Sequence, residues 1–143
     1  MQDRFKIRAF DTSDNCYVRI THLDFDLSGN ISQMKFVKLT SVGSDGEYVC
    51  DQDQLDKFIF EQFVGFKDIN GGLIYEGDIL GDAHSDEPRR CSEVLYDKKD
   101  SRFKTLSYFD DLEIEDTLDN LLQNDRKIVG NVHENSALLG KCK

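Results

Sequence analysis

Between Lys67 and Leu80 the chain turns sharply twice, which excludes a helix there and leaves room only for short strands. Asp68-Ile69-Asn70-Gly71-Gly72 is rich in residues that tolerate positive φ, as hairpin turns demand. Leu73, Ile74 and Tyr75 follow as a short strand. Glu76-Gly77-Asp78 reads as a second sharp turn or a bulge, and Ile79 and Leu80 resume the strand.

The same grammar recurs upstream. Phe5, Ile7 and Ala9 alternate with Lys6 and Arg8, the period of a strand with one buried face. Asp11 to Asn15 is a turn, because Asp, Ser and Asn side chains bond to the nearby backbone. Cys16 to Ile20 is the returning strand. Leu23 to Leu27 and Ile31 to Leu39 form another pair around Ser28-Gly29-Asn30, and Ser44-Asp45-Gly46 precedes Tyr48, Val49 and Cys50. Leu55, Phe58, Ile59 and Phe63 suit a helix, whereas Phe58, Phe60, Gln62 and Val64 suit a strand. The expectation is a strand over 58–66 with a helical turn before it.

Downstream, residues 81–90 form a polar loop holding Pro88. Ser92 to Tyr96 and Phe103 to Phe109 make a hairpin. From Asp110 the period changes. Ile114, Leu118, Leu121 and Leu122 recur at i, i+4, i+7 and i+8, which predicts a helix capped by Asp116 or Thr117. Lys127 to Val132 is a last strand, and Ser136 to Leu139 a last helical turn.

A chain of 143 residues predicts one domain, residues 1–143. A chain of this size buries roughly two thirds of its unfolded surface, enough for a real core. The net charge of -10 disfavours nucleic acid unless the basic residues cluster in space. Only Arg4, Lys6 and Arg8, and then Lys98, Lys99, Arg102 and Lys104, are concentrated in sequence. With a charged N-terminus no signal peptide is expected, and no apolar run approaches the ~20 residues that span a bilayer. The expected location is therefore the cytoplasm, with Cys16, Cys50, Cys91 and Cys142 as reduced thiols. None of the four lies in a close pair or at ligand spacing to a histidine, so no zinc site or other cofactor is expected.

Three stretches resemble the YopX family of phage and prophage proteins. Residues 5–10 (FKIRAF) resemble its N-terminal strand. Residues 61–80 (EQFVGFKDINGGLIYEGDIL) resemble its central signature, and residues 128–139 (IVGNVHENSALL) its C-terminal one. Order and spacing agree from end to end. Val132-His133 departs from an aliphatic-aromatic pair, Ser136 from a common proline, and Phe63-Val64 from Tyr-Thr. These changes keep size or turn character. The resemblance implies an α+β, mainly β protein with a small barrel-like antiparallel core and one or two short helices. It also implies a phage or prophage accessory protein, and no agreed chemistry.

Three constellations carry candidate function. Tyr75-Glu76-Gly77-Asp78 places two carboxylates near a phenol, and His133-Glu134 places a possible base beside a carboxylate within Asn131–Asn135. Each is equally a structural turn. Asp68-x-Asn70-Gly71 begins like a calcium loop but has Ile79 where the twelfth-position Glu belongs. His22 and His84 stand alone. Asp110, Asp111, Glu113, Glu115 and Asp116 form the strongest electrostatic feature, in a stretch without a basic residue between Lys104 and Arg126. A second such stretch runs from Gly43 to Asp56. These carboxylates are a solvated face, or they bind a partner, for instance by imitating a phosphate backbone.

No Walker loop, dinucleotide fingerprint or metalloprotease motif is present. The leading expectation is a non-enzymatic accessory protein that binds a host protein through the acidic run, or binds itself through exposed strand edges. The alternatives are a nucleic-acid-binding small barrel using the two basic groups, and an enzyme built on Glu76, Asp78, His133 or Glu134.

Overall fold

The computed structural model describes residues 6–40, 43–87, 89–109, 112–119 and 125–141. The chain divides into two compact units, one formed by Lys6–Gln62 and one beginning at Phe63.

In the Lys6–Gln62 unit the turn residues act as expected. Strands β1 (Ile7–Asp11) and β2 (Cys16–Phe25) form a hairpin. Asp11 is fully buried, and its Oδ1 accepts bonds from the Ser13 and Asp14 N–H groups and the Ser13 hydroxyl. Strands β3 (Ile31–Thr40) and β4 (Gly43–Asp51) follow. A 3-10 helix (Gln52–Lys57) then leads into β5 (Phe58–Lys67), as expected for this stretch. The order is β4-β3-β2-β1-β5, every pair antiparallel. One difference concerns β2, which is a single ten-residue strand rather than two pieces. Its register slips between Ile20 and His22, so a bulge absorbs the break in alternation. Ala9, Val18, Met34, Phe36, Cys50 and Phe58 form this unit's core.

From Phe63 onward, the end of β5 pairs with β6 (Leu73–Tyr75). The Glu76-Gly77 turn then passes the chain to β7 (Asp78–Asp82), in a different sheet. That sheet also contains β8 (Ser92–Asp97), β9 (Arg102–Phe109), β10 (Leu112–Thr117) and β11 (Arg126–Asn131), in the order β10-β9-β8-β7-β11. A short helix, Ala137–Lys141, closes the described chain. Val64, Ile74, Leu80, Val94 and Leu118 form the second core, with Phe103 and Ile128 packed on it. Each such aliphatic residue contributes about 1.5–3 kcal/mol on full burial.

The mainly β class holds, but the expected barrel does not. The strands form two antiparallel sheets, and among the described residues no pairing closes either one. The helix expected from Ile114 is a second correction. Residues 112–117 are strand β10, helical geometry starts only at Leu118, and Leu121 and Leu122 lie outside the described residues. The third correction is that Cys91 is disulfide-bonded rather than a reduced thiol. Wide sequence spacing hides a pairing that only the fold creates. Cys50 is a free thiol, and burial pushes it up.

Candidate functional site

The fold brings the two candidate turns together. Asn131 of β11 stands opposite Asp78 of β7, and the Val132 N–H donates to the Gly77 carbonyl at 2.8 Å. Gly77 itself, at φ 83°, donates its N–H to the Val94 carbonyl. Most of the side-chain bonds described at this junction go to backbone N–H groups. Asp78, almost fully buried, accepts the Tyr75 N–H at 2.8 Å. The Asn131 Oδ1 accepts the N–H groups of His133 and Glu134, both at 3.0 Å, and its amide donates to the Glu134 carboxylate. Asn135 in turn accepts the Asn131 N–H. One titratable neighbour carried no sequence signal. Glu93 on β8 lies opposite Ile79, and burial pushes its carboxyl up, against the lowering charge of His133.

The Asp68 turn is likewise a backbone device. Its Oδ1 accepts the N–H groups of Asn70 (3.0 Å) and Gly72 (2.7 Å), and its Oδ2 accepts that of Ile128 (2.9 Å). The carboxylate is therefore engaged by N–H donors in the place where a calcium ion would need it. Among the described residues no cluster of His, Cys, Asp or Glu is arranged to hold a metal ion.

In the two basic groups Arg8, Arg102 and Lys104 are engaged with acids. Arg8 pairs with Glu61 at 2.9 Å and lies over the Tyr17 ring, whose hydroxyl donates to the same Glu61 oxygen. Lys104 lies between Asp97 (2.9 Å) and Glu115 (2.7 Å), and Arg102 is 3.5 Å from Asp100. Arg4 lies outside the described residues. His22 and His84 are not alone: each ring meets a carboxylate at 2.9 Å, Asp24 and Asp125 respectively. The Asp125 bond raises the His84 imidazole above its ordinary value.

The acidic run is an edge strand. Asp110 and Asp111 lie outside the described residues, while Glu113, Glu115 and Asp116 belong to β10, which among the described residues pairs with β9 alone. Cross-strand partners share a face, and the β8-β9-β10 registers run without a bulge. Glu113, Glu115 and Thr117 therefore share a face with Lys104 and Leu106. Leu112, Ile114 and Asp116 share the opposite face with Thr105, Phe103 and the core residue Val94. Leu112 is 66% exposed and Ile114 49%, because nothing described covers that face at the edge. Sequence reasoning missed these two residues as candidates. The signal is the alternation Leu112-Glu113-Ile114-Glu115, which competes with the helical period of Ile114, Leu118, Leu121 and Leu122. The second basic-free stretch also supplies an edge strand, β4, with Tyr48 and Val49 exposed. There Glu47 accepts from Thr21 and Asp51 from Gln33, within their own sheet, as Glu115 is held by Lys104 beside β10.

This two-sheet antiparallel architecture defines a mainly β protein whose sequence signatures hold turns. The YopX protein family matches residues 6–140, and the chain belongs to that family. Among solved structures it is similar to protein EF1440 from Enterococcus faecalis, at 28% identity and a TM-score of 0.62. The match covers 94% of this chain and 96% of that one. No curated protein matches the chain. No helix among the described residues is long and apolar enough to cross a membrane.

Proposed function

We propose that this chain is a non-catalytic phage or prophage accessory protein that binds a protein of its bacterial host along the β10 edge. The observation that carries the reading is the alternation along β10, with Leu112 and Ile114 uncovered on one face and Glu113 and Glu115 on the other. An edge strand turns every second N–H and C=O away from its neighbour, so it accepts a further strand. The added strand suited to this edge alternates apolar residues, which extend the core face past Ile114, with basic residues facing the carboxylates. The basic residues of this chain are poorly placed for the nucleic-acid alternative, since Arg8 and Lys104 already pair with carboxylates. A second copy of the chain is the weaker occupant at low salt, because self-pairing sets like charges against one another.

The test is capture from host lysate at low salt, followed by purification of whatever is retained. Its affinity is then measured for the wild type, for Leu112→Lys/Ile114→Lys, and for Val49→Lys on the β4 edge. The expected partner loses affinity for the β10 variant alone, and binding weakens as salt rises. A partner that binds the β10 variant as well as the wild type, or is indifferent to salt, overturns the reading.

A further inference from the structure

A cleft of about 390 Å³ opens where β9 begins and β10 ends, lined by Val64, Phe66, Phe103, Leu118, Arg102 and Asp119, with Thr117. Its floor is core, since Val64 and Leu118 are buried and Phe103 packs against the same cluster. Its rim is different in kind. Phe66 is a 41% exposed aromatic residue, and Arg102 and Asp119 are exposed and charged. The lining comes from both faces of the β9-β10 pair: Phe103 lies on the core face, whereas Arg102 and Thr117 lie on the other. The cleft therefore lies just past the last β9-β10 pair, Thr117 and Lys104, at the end of β10.

Resting on the edge-binding reading above, we infer that this cleft is the anchor pocket of the β10 site. Its occupant is one bulky aromatic residue of the partner, placed immediately before an alternating basic and apolar segment. Strand addition draws affinity from main-chain bonds and specificity from side-chain pockets. The described pairings are antiparallel, and antiparallel pairing is slightly the more stable per residue. An antiparallel strand beside β10 starts at Thr117, so its N-terminal side passes the cleft. One ring on the rim, Phe66, and a second in the otherwise aliphatic floor, Phe103, favour an aromatic side chain, since ring pairs gain beyond the area they bury. The charge pattern selects the segment that follows, because Glu113 and Glu115 face the positions where its basic residues fall.

The experiment uses fluorescently labelled, end-capped synthetic peptides and the full chain, read by anisotropy at low salt. One peptide is Trp-Lys-Val-Lys-Val-Lys, one replaces Trp with Ala, and one carries Trp at the C-terminal end instead. The N-terminally anchored peptide is expected to bind about tenfold more tightly than the Ala peptide. Phe66→Ala is expected to erase most of that advantage while leaving the Ala peptide's affinity unchanged, which also shows that the variant is folded. Leu112→Lys/Ile114→Lys is expected to weaken all three. Equal binding of the Trp and Ala peptides overturns the anchor pocket and leaves the edge reading standing. Tighter binding of the C-terminal Trp peptide overturns the antiparallel placement and the inference with it. If no peptide prefers the wild type to the β10 variant, the edge reading and the pocket both fall.

Discussion

The Asp68 carboxylate accepts the backbone N–H of Ile128, sixty residues further along the chain, at 2.9 Å. The same side chain closes its own turn through Asn70 and Gly72, and the Ile69 N–H donates to the Arg126 carbonyl beside it. One end of β11 is thus fastened to the 68–72 turn, and the other end to the 75–78 turn through Val132 and Gly77. The most recognisable sequence signatures of the chain meet at one strand and hold it. The side-chain bonds from Asp68 and Asp78 go to backbone N–H groups, and those turns carry the signatures by which the family is recognised.

Asp68→Ala leaves three N–H donors without their carboxylate, one of them on a partly buried strand. The expected loss of stability is about 2–3 kcal/mol, and Asp68→Asn, which keeps one amide oxygen, loses about half of that. Urea denaturation followed by circular dichroism measures both. A loss below about 0.5 kcal/mol for the alanine variant would show that water replaces these bonds freely.

Gly130 has no room for a side chain. A Cβ built there would lie 2.6 Å from the Asn135 Oδ1, the atom that accepts the Asn131 N–H. Gly130→Ala must therefore push Asn135 aside, and about 1–3 kcal/mol is expected to be lost. Adding Asn135→Ala to it should cost less than the sum of the two single changes, because both act on the same bond. Strict additivity in thermal or urea unfolding would contradict this coupling.

The sequence shows the hairpins clearly because their turns are chemical. Asp11, Asp26 and Asp68 each cap a turn with their own carboxylate, and that signal is local. What was not legible depends on partners. Ile114 is compatible with Leu112 at strand period and with Leu118 at helical period, and only the register against Ser107 selects the strand. The continuity of β2 through His22 is hidden for a similar reason, since a bulge interrupts alternation without ending the pairing. Glu93 and the bonded Cys91 carry no motif, as their environments come from residues distant in sequence.

Lys104 ties β10 to the sheet through charge. The Lys104 bond holds the Asp97 carboxyl below its ordinary value, and Glu115, then Asp97, hold the Lys104 ammonium above its own. For the depressed carboxyl, stability is present above the unfolded value and is lost as pH falls through the lower folded one. For the raised ammonium, it is complete below the ordinary lysine value and is lost as pH rises through the higher folded one. Lys104→Met is expected to flatten the acid limb of a stability-versus-pH curve below the ordinary aspartate value, and the alkaline limb above the ordinary lysine value. Urea midpoints across pH report this directly, and an unchanged acid limb in the variant would remove Lys104 from the account.

Edge strands pair with one another unless something prevents it, and on β10 the charges are placed to do so. Glu113 separates Leu112 from Ile114, both exposed. Glu113→Val would create a continuous apolar run on an uncovered edge while removing the charge that opposes a second copy. The expected outcome is self-association at concentrations where the wild type sediments as a smaller species, seen by sedimentation velocity. The wild type should move the same way as salt rises, because screening weakens the like-charge repulsion without altering the apolar face. Glu113→Asp keeps the negative charge at the same position, so it should sediment as the wild type does at low salt. If Glu113→Val and the wild type show the same sedimentation at every salt concentration, the carboxylates do not guard this edge. The alternation of Leu112, Glu113, Ile114 and Glu115 would then have to be explained by the partner strand alone.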